Sequence, residues 1–362
     1  MRFVEDSGLW TTATARDAVP LTAVLEVSGA VLSWTVDDPD AAVHVSFTDP
    51  VRAEWLWRIA GEAGHAAIAS GLAAEPDGSV EIDGVELDAD ALRPLRRLAL
   101  GHWLRRWWPA SYRDGIAELD DALLAGELAL LTAAAEDYFA DGTLDSDVGE
   151  LLAPHAEVLN AVARLGDPRV GELVAACAEL AADTGVAFET PVVAAQAGMR
   201  NDYALVAGAA QAGSAGQAIA TGIASVRWAA VPPRVFDAAE GTVDWRVQAD
   251  GAVATAVVRT ELAGVRSPEG ITVRVESGGI RGVGQLDSAG SATVELLDEH
   301  QVPVTETAAW NRDWRETAVT IGVDVGETPA VRERVRTFAK SRLQRIGADA
   351  FLAEVLAAES DY

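Results

Sequence analysis

The sequence predicts a multidomain α+β chain, and three observations carry that prediction. Residues 1–50 and 225–325 alternate apolar and polar positions with a period of two, as strands with one buried face do. Between about 89 and 186 the apolar residues recur every three or four positions, as on helices. At 362 residues the chain is long enough for two or three domains. The resulting division is a β-meander and helix unit at 1–88, a helical bundle at 89–186 and an Ala/Gly-rich linker at 187–224. A strand-rich domain at 225–325 and a basic helix at 326–362 follow.

Three strands open the N-terminal unit: LTAVLEV from Leu21, AVLSWTV from Ala30 and AVHVSFT from Ala42, with turns at Ser28-Gly29 and in DDPD. After Pro50 the spacing becomes helical over Val51 to Ala73, with Trp55, Ile59 and Ala66 on it. In SVEIDGVELD, Asp83-Gly84 sits between alternating runs and predicts a second hairpin, because a type I′ turn needs positive φ at both central residues. His44 falls in a strand and His65 on an Ala-rich helix, and neither has a second histidine at metal spacing.

The helical bundle begins with LRPLRRLALGHWLRRWWPAS, Leu92 to Ser111, which packs five arginines and three tryptophans into an acidic chain. With Pro94 in its first turn and Pro109 as its stop, the helix spans Arg93 to Trp108. One stripe holds Leu92, Leu95, Ala99, Trp103 and Trp107 together with Arg96 and Arg106, so the favoured reading is a central helix with its guanidiniums on carboxylates. Leu124, Leu128, Leu131, Ala135 and Tyr138 form a second stripe. A third runs Val148, Leu151, Leu152, His155, Leu159 and Val162. Asp167-Pro168 caps another helix, on which Cys177 faces inward as an inert thiol. The acidic turn Asp141 to Asp147 lacks the order of a calcium loop and reads as a solvated connection.

Tyr203 to Val226 is the longest uncharged run, but it is Ala- and Gly-rich and interrupted by polar residues, so it reads as a loop or packed helix and not a membrane span. Seven strands are then expected: SVRWAAV, TVDWRVQ, VATAVVRTEL, ITVRVES, IRGVGQL, ATVELLD and TAVTIGVDV. Even spacing and intervening turns suggest an antiparallel β-sandwich of the immunoglobulin or transthyretin type, with Trp228, Trp245, Trp310 and Trp314 as core. GGIRGVG has the wrong glycine order for a dinucleotide loop. The chain closes with a helix capped by Thr328-Pro329, apolar at Val331, Val335 and Phe338 and otherwise basic.

A net charge of −28 opposes nucleic acid and anionic lipid as partners. Lys340 is the single lysine, so phosphate-loop and Schiff-base chemistry have one candidate, without flanking glycines. One cysteine allows no disulfide within the chain and no Cys-based zinc site. The N-terminus has no apolar core of a signal peptide, so a cytoplasmic location is expected. No Gly-x-Ser-x-Gly, His-Glu-x-x-His or Cys-x-x-Cys motif occurs, and no cofactor or metal is expected.

Two functions follow. The preferred one is a non-catalytic cytoplasmic adaptor or assembly subunit that binds another protein with an anionic or apolar surface, and it leaves room for a homo-oligomer. Its expected partner-binding residues are Arg97, Arg105, Trp108, Arg334, Lys340 and Arg342, on the two Arg-rich helices. The alternative is a hydrolase-like enzyme with a His/carboxylate site between the helical region and the sandwich, using His102, His155 or His300 as base.

Overall fold

Tight turns set the strands of the N-terminal region. Strand β1 (Arg2–Asp6) turns into β2 (Leu9–Thr12) through Ser7 and Gly8, both at positive φ, as a two-residue hairpin requires. The expected meander follows as β3 (Thr22–Val27), β4 (Ala30–Thr35) and β5 (His44–Phe47). Its Ser28-Gly29 turn leaves no room for a side chain at Gly29, where a Cβ would stand 2.3 Å from the Asp49 carbonyl oxygen. The β1–β2 hairpin was not legible as alternation, yet together with β6 (Ser79–Glu81) it completes one antiparallel sheet in the order β3-β4-β5-β2-β1-β6. This computed structural model describes residues 1–13, 17–74, 78–140, 143–188, 218–264 and 266–360. Most of the Ala/Gly-rich linker, 189–217, therefore lies outside the described residues, as do Asp141 and Gly142 of the acidic turn.

Asp49 caps a short 3-10 turn at 50–52, and α1 (Trp57–Ala74) starts six residues later than its spacing suggested and is kinked at Gly61, whose φ is 70°. Strand β6 (Ser79–Glu81) pairs with β1, not with residues beyond Asp83-Gly84. That pair does make a turn, with Gly84 at φ 73, but the run after it is drawn into the cap of the next helix. Asp88 accepts from the Asp90 and Ala91 amides, so α2 (Ala89–Trp107) begins earlier than Pro94 implied and carries that proline inside it.

Helix α2 is the centre of its region. Leu95, Leu98, Ala99 and Leu104 are fully buried, and the Trp103 indole donates to the Pro20 carbonyl at 2.9 Å. Helix α3 (Asp121–Ala134) packs on α2 and stops before Tyr138, which sits in a 3-10 turn. The single stripe expected from Val148 to Val162 is two helices, α4 (Thr143–Leu152) and α5 (Ala156–Ala163), because Pro154 has no N–H to continue the ladder. Helix α6 (Pro168–Thr184) has its Asp167 cap and a left-handed Gly185 at its end. Cys177 is buried on it, and burial pushes its thiol up to about 12.

Two compact units result, residues 1–189 with 327–362 and residues 190–326. The first described element of the second unit is β7 (Ala218–Ala224), a strand inside the stretch expected to be linker. The next expected strand, SVRWAAV, is a 3-10 turn at Trp228–Ala230 instead. Hairpins then join β8 (Val243–Asp250) to β9 (Val253–Thr260) and β10 (Thr272–Ser277) to β11 (Ile280–Gln285), followed by β12 (Ser291–Glu295), the short α7 (Glu306–Trp310) and β13 (Ala318–Ile321). Sheets ordered β12-β9-β8-β7 and β11-β10-β13 are both antiparallel and form a sandwich-like pair. Val243, Val247, Val258, Val273, Val275 and Ile321 share its core with Trp245 and Trp314. Trp310 is 45% exposed, against the expectation of a core tryptophan: it lies on the outward side of a one-turn helix. After this unit the chain returns as α8 (Pro329–Gln344) and α9 (Leu352–Ser360).

Candidate functional site

The cationic helices come first, because they hold the expected binding residues. Arg334 of α8 makes a two-pronged contact with Asp37, at 2.9 Å on each oxygen, and a third bond to Asp17 at 3.1 Å. Arg342 grips Glu354, a fully buried carboxylate, at 2.5 and 2.7 Å and reaches Asp349 at 3.0 Å. Lys340 faces Asp114 at 3.6 Å. On α2, Arg97 pairs with Glu127 and Arg105 with Asp121, each at 3.3 Å. Trp108 is buried and donates to the Ala117 carbonyl at 2.8 Å. All six residues are thus engaged by the chain's own groups, and the pattern supports internal pairing of these helices.

Around α9 this pairing becomes a network. Glu127 reaches across from α3 to accept the Leu352 amide at 2.6 Å, closing the first turn of α9, while Glu354 accepts the Phe351 amide at 2.9 Å. Burial raises the Glu127 carboxyl to about 7; the Leu352 amide and Arg97 pull it down, and Glu354 pushes it further up.

Within the same unit, a cavity of about 500 Å³ opens between β3, α2, α3 and α4. His102, Arg105, Asp147, Glu150 and Phe139 line it. Burial lowers His102 to about 4, with Arg105 adding to the effect, so its imidazole is neutral at pH 7. Asp147 is raised by burial and by neighbouring Glu150. His155 lies 3.8 Å from Asp121, the carboxylate that also holds Arg105. His300 belongs to the other unit and is exposed beside Asp298. His44 is a packed residue, bonded to Thr12 at 3.0 Å and Ser46 at 3.3 Å. Among the described residues no group of three His, Cys, Asp or Glu side chains could hold a metal ion, and no helix is long and apolar enough to cross a membrane.

The sandwich presents a different surface. On its β7-β8-β9 face, cross-strand partners line up in two rows, Thr221 with Arg246 and Val257, and Ile223 with Asp244 and Arg259. They border a groove of about 500 Å³ that Gly222 and Trp245 also line. Gly222 is required there, since a Cβ would stand 2.3 Å from the Trp245 ring on the inner side. Ile223 is 69% exposed.

Neither Arg246 nor Arg259 has a hydrogen bond or ion pair among the described residues, and the Arg246 Nε is buried without one. Every other arginine described in this unit has a partner: Arg227 on Asp324, Arg274 on the Gly322 carbonyl, Arg281 near Glu276, Arg312 on the Gly278 carbonyl, Arg315 on Asp313, with Arg234 and Arg266 also engaged. Sequence reasoning passed over Arg246 and Arg259 because they sit in strands assigned to the core. The signal was available in TVDWRVQ, where alternation puts Asp244 and Arg246 together on the polar side. No protein-family model, curated protein or solved structure matches this chain.

Proposed function

We propose that the chain is a non-catalytic cytoplasmic adaptor or assembly subunit whose second unit, a sandwich of the immunoglobulin or transthyretin type, binds an anionic segment of another protein. One observation carries the reading: Arg246 and Arg259 stand on one sheet face without an ion pair, two cations to the single acid Asp244 that lines the groove with them, in a chain of net charge −28 that pairs its other sandwich arginines. A guanidinium whose Nε is removed from water without a bond costs free energy, and an incoming carboxylate supplies the bond. Exposed Ile223 adds an apolar contact beside it.

The test is capture of partners by the tagged wild type and by the Arg246→Glu, Arg259→Glu double variant, followed by reconstitution with the purified partner at low and high salt. Association of the reconstituted pair should be lost in the variant and weaken above about 0.15 M salt. Equal association by both proteins overturns the reading. An enzyme is the second reading, favoured by the cavity that sets neutral His102 near Asp147 and Glu150. Hydrolysis of a panel of ester and amide substrates that disappears in His102→Ala would replace the adaptor with it.

A further inference from the structure

We infer that the anionic partner segment binds as an added strand, antiparallel along the outer edge of β7, with an acidic side chain opposite Thr221 and an apolar one opposite Ile223. The inference rests on the adaptor reading of the same groove and specifies how the groove is filled.

The first support is the edge itself. Strand β7, AIATGIA, contains no charge and no proline, the usual devices that keep a strand edge from pairing. A bulge between Ala218 and Ala220 leaves a regular ladder from Ala220 to Ala224. The sandwich covers its other edges. A bridge between Arg281 and Leu297 carries the β12 side over to β11, and the chain beyond β13 bonds to the Ala230 carbonyl through Val323 at 3.1 Å. Among the described residues, nothing pairs with the outer edge of β7. Its outward N–H and C=O groups are a template for one more strand.

The second support is the side-chain arrangement on the groove face. Thr221 and Ile223 point the same way, two residues apart, and their partners on β8 are Arg246 and Asp244. A residue of an added strand opposite Thr221 stands two strand spacings, roughly 10 Å, from Arg246. An arginine and a glutamate side chain span that gap together. The residue opposite Ile223 lies against an exposed apolar side chain and is matched by an apolar one. A neutral strand whose neighbour carries Arg246 opposite Thr221 thus fits an extended segment that is acidic at that position and apolar beside Ile223, and a second β7 brings no acid for Arg246.

The probe is an acetylated, amidated peptide, Ser-Ile-Thr-Glu-Thr-Ser, with two controls: the same peptide with Lys for Glu, and the same peptide N-methylated at alternate residues. Calorimetry against the full chain should show binding of the first, and hydrogen exchange should show new protection at residues 218–224. Both controls should bind roughly tenfold more weakly, the worth of one charge-assisted contact or of the ladder bonds. Arg246→Glu should reverse the preference toward the Lys peptide, a gain that a misfolded variant could not give. N-methylated peptide binding as well as the parent overturns strand addition and leaves the groove reading intact. Equal binding of the Glu and Lys peptides overturns the acidic assignment. No binding up to about 1 mM overturns the inference, and so does protection of β7 by self-association without peptide.

Discussion

Helix α8 carries Arg332, Arg336 and Arg342 with side chains 5%, 5% and 12% exposed, each against a carboxylate, whereas the sandwich carries Arg246 with a buried Nε that meets none. The first arrangement is how a folded chain retains buried charge. Desolvation of each guanidinium is offset by close, often two-pronged bonds to Glu327, Asp114, Glu333 or Glu354. The second leaves the offset to something outside the chain. An arginine-rich helix in an acidic protein is therefore weak evidence of a binding surface, and an isolated arginine on a sheet face is stronger evidence.

The comparison breaks most visibly at Arg342. Arg342→Glu sets a third carboxylate beside Glu354 and Asp349, and it should cost at least about 3–5 kcal/mol or prevent folding, read by chemical denaturation. A melt close to wild type would show that α8 and α9 are not held by this network.

Next in size is a pH effect. Glu127, raised to about 7, binds its proton more tightly folded than unfolded, so its contribution is fully present below about 4.5 and is lost as pH rises through 7. His102, lowered to about 4, works the opposite way between about 4 and 6.5. His102 contributes to wild type and variant alike, so across pH 5 to 8 Glu127→Gln should remove a stability loss on the order of 1–3 kcal/mol, most of it below pH 7. Parallel stability curves for wild type and variant across pH 5 to 8 would contradict the assignment.

Arg334→Glu should cost less, about 0–1 kcal/mol for each of its pairs with Asp37 and Asp17, because its side chain is 47% exposed. Arg334 and Arg342 lie on one helix and would be grouped together from sequence, yet burial separates their effects. Smallest of all, Arg246→Met should change stability by no more than about 0.5 kcal/mol, since no internal bond is broken. A large destabilisation would mean that Arg246 is held inside the unit and is not waiting for a partner.

Sequence periodicity and turn chemistry made much of this fold legible. Ser28-Gly29 and Ser277-Gly278-Gly279 announce hairpins because their glycines take positive φ, and Asp167-Pro168 and Thr328-Pro329 announce helix starts because they satisfy free amides. Strand β7 was hidden, since Ala and Gly carry little β signal, and Pro154 was overlooked within an apolar stripe. The pairing of the arginines was not legible in detail. Arg334 finds Asp37 at a separation of 297 residues and Asp17 at 317, and sequence spacing does not report proximity in space. The groove was missed for the same reason: its members lie on three strands whose register exists only after folding.

The route of the chain has a consequence for its synthesis. Glu127 waits for Leu352, 225 residues later, before α9 has its first-turn acceptor. At roughly 5 to 20 residues per second, a ribosome takes about 11 to 45 seconds to bridge that interval. The sandwich unit is continuous in sequence and is fully translated before α8 and α9 exist. Birth order and completion order therefore run opposite ways: the segment translated first is the last to be finished, and throughout the delay the surface of α2 that meets Phe338 stands open to whatever guards nascent chains.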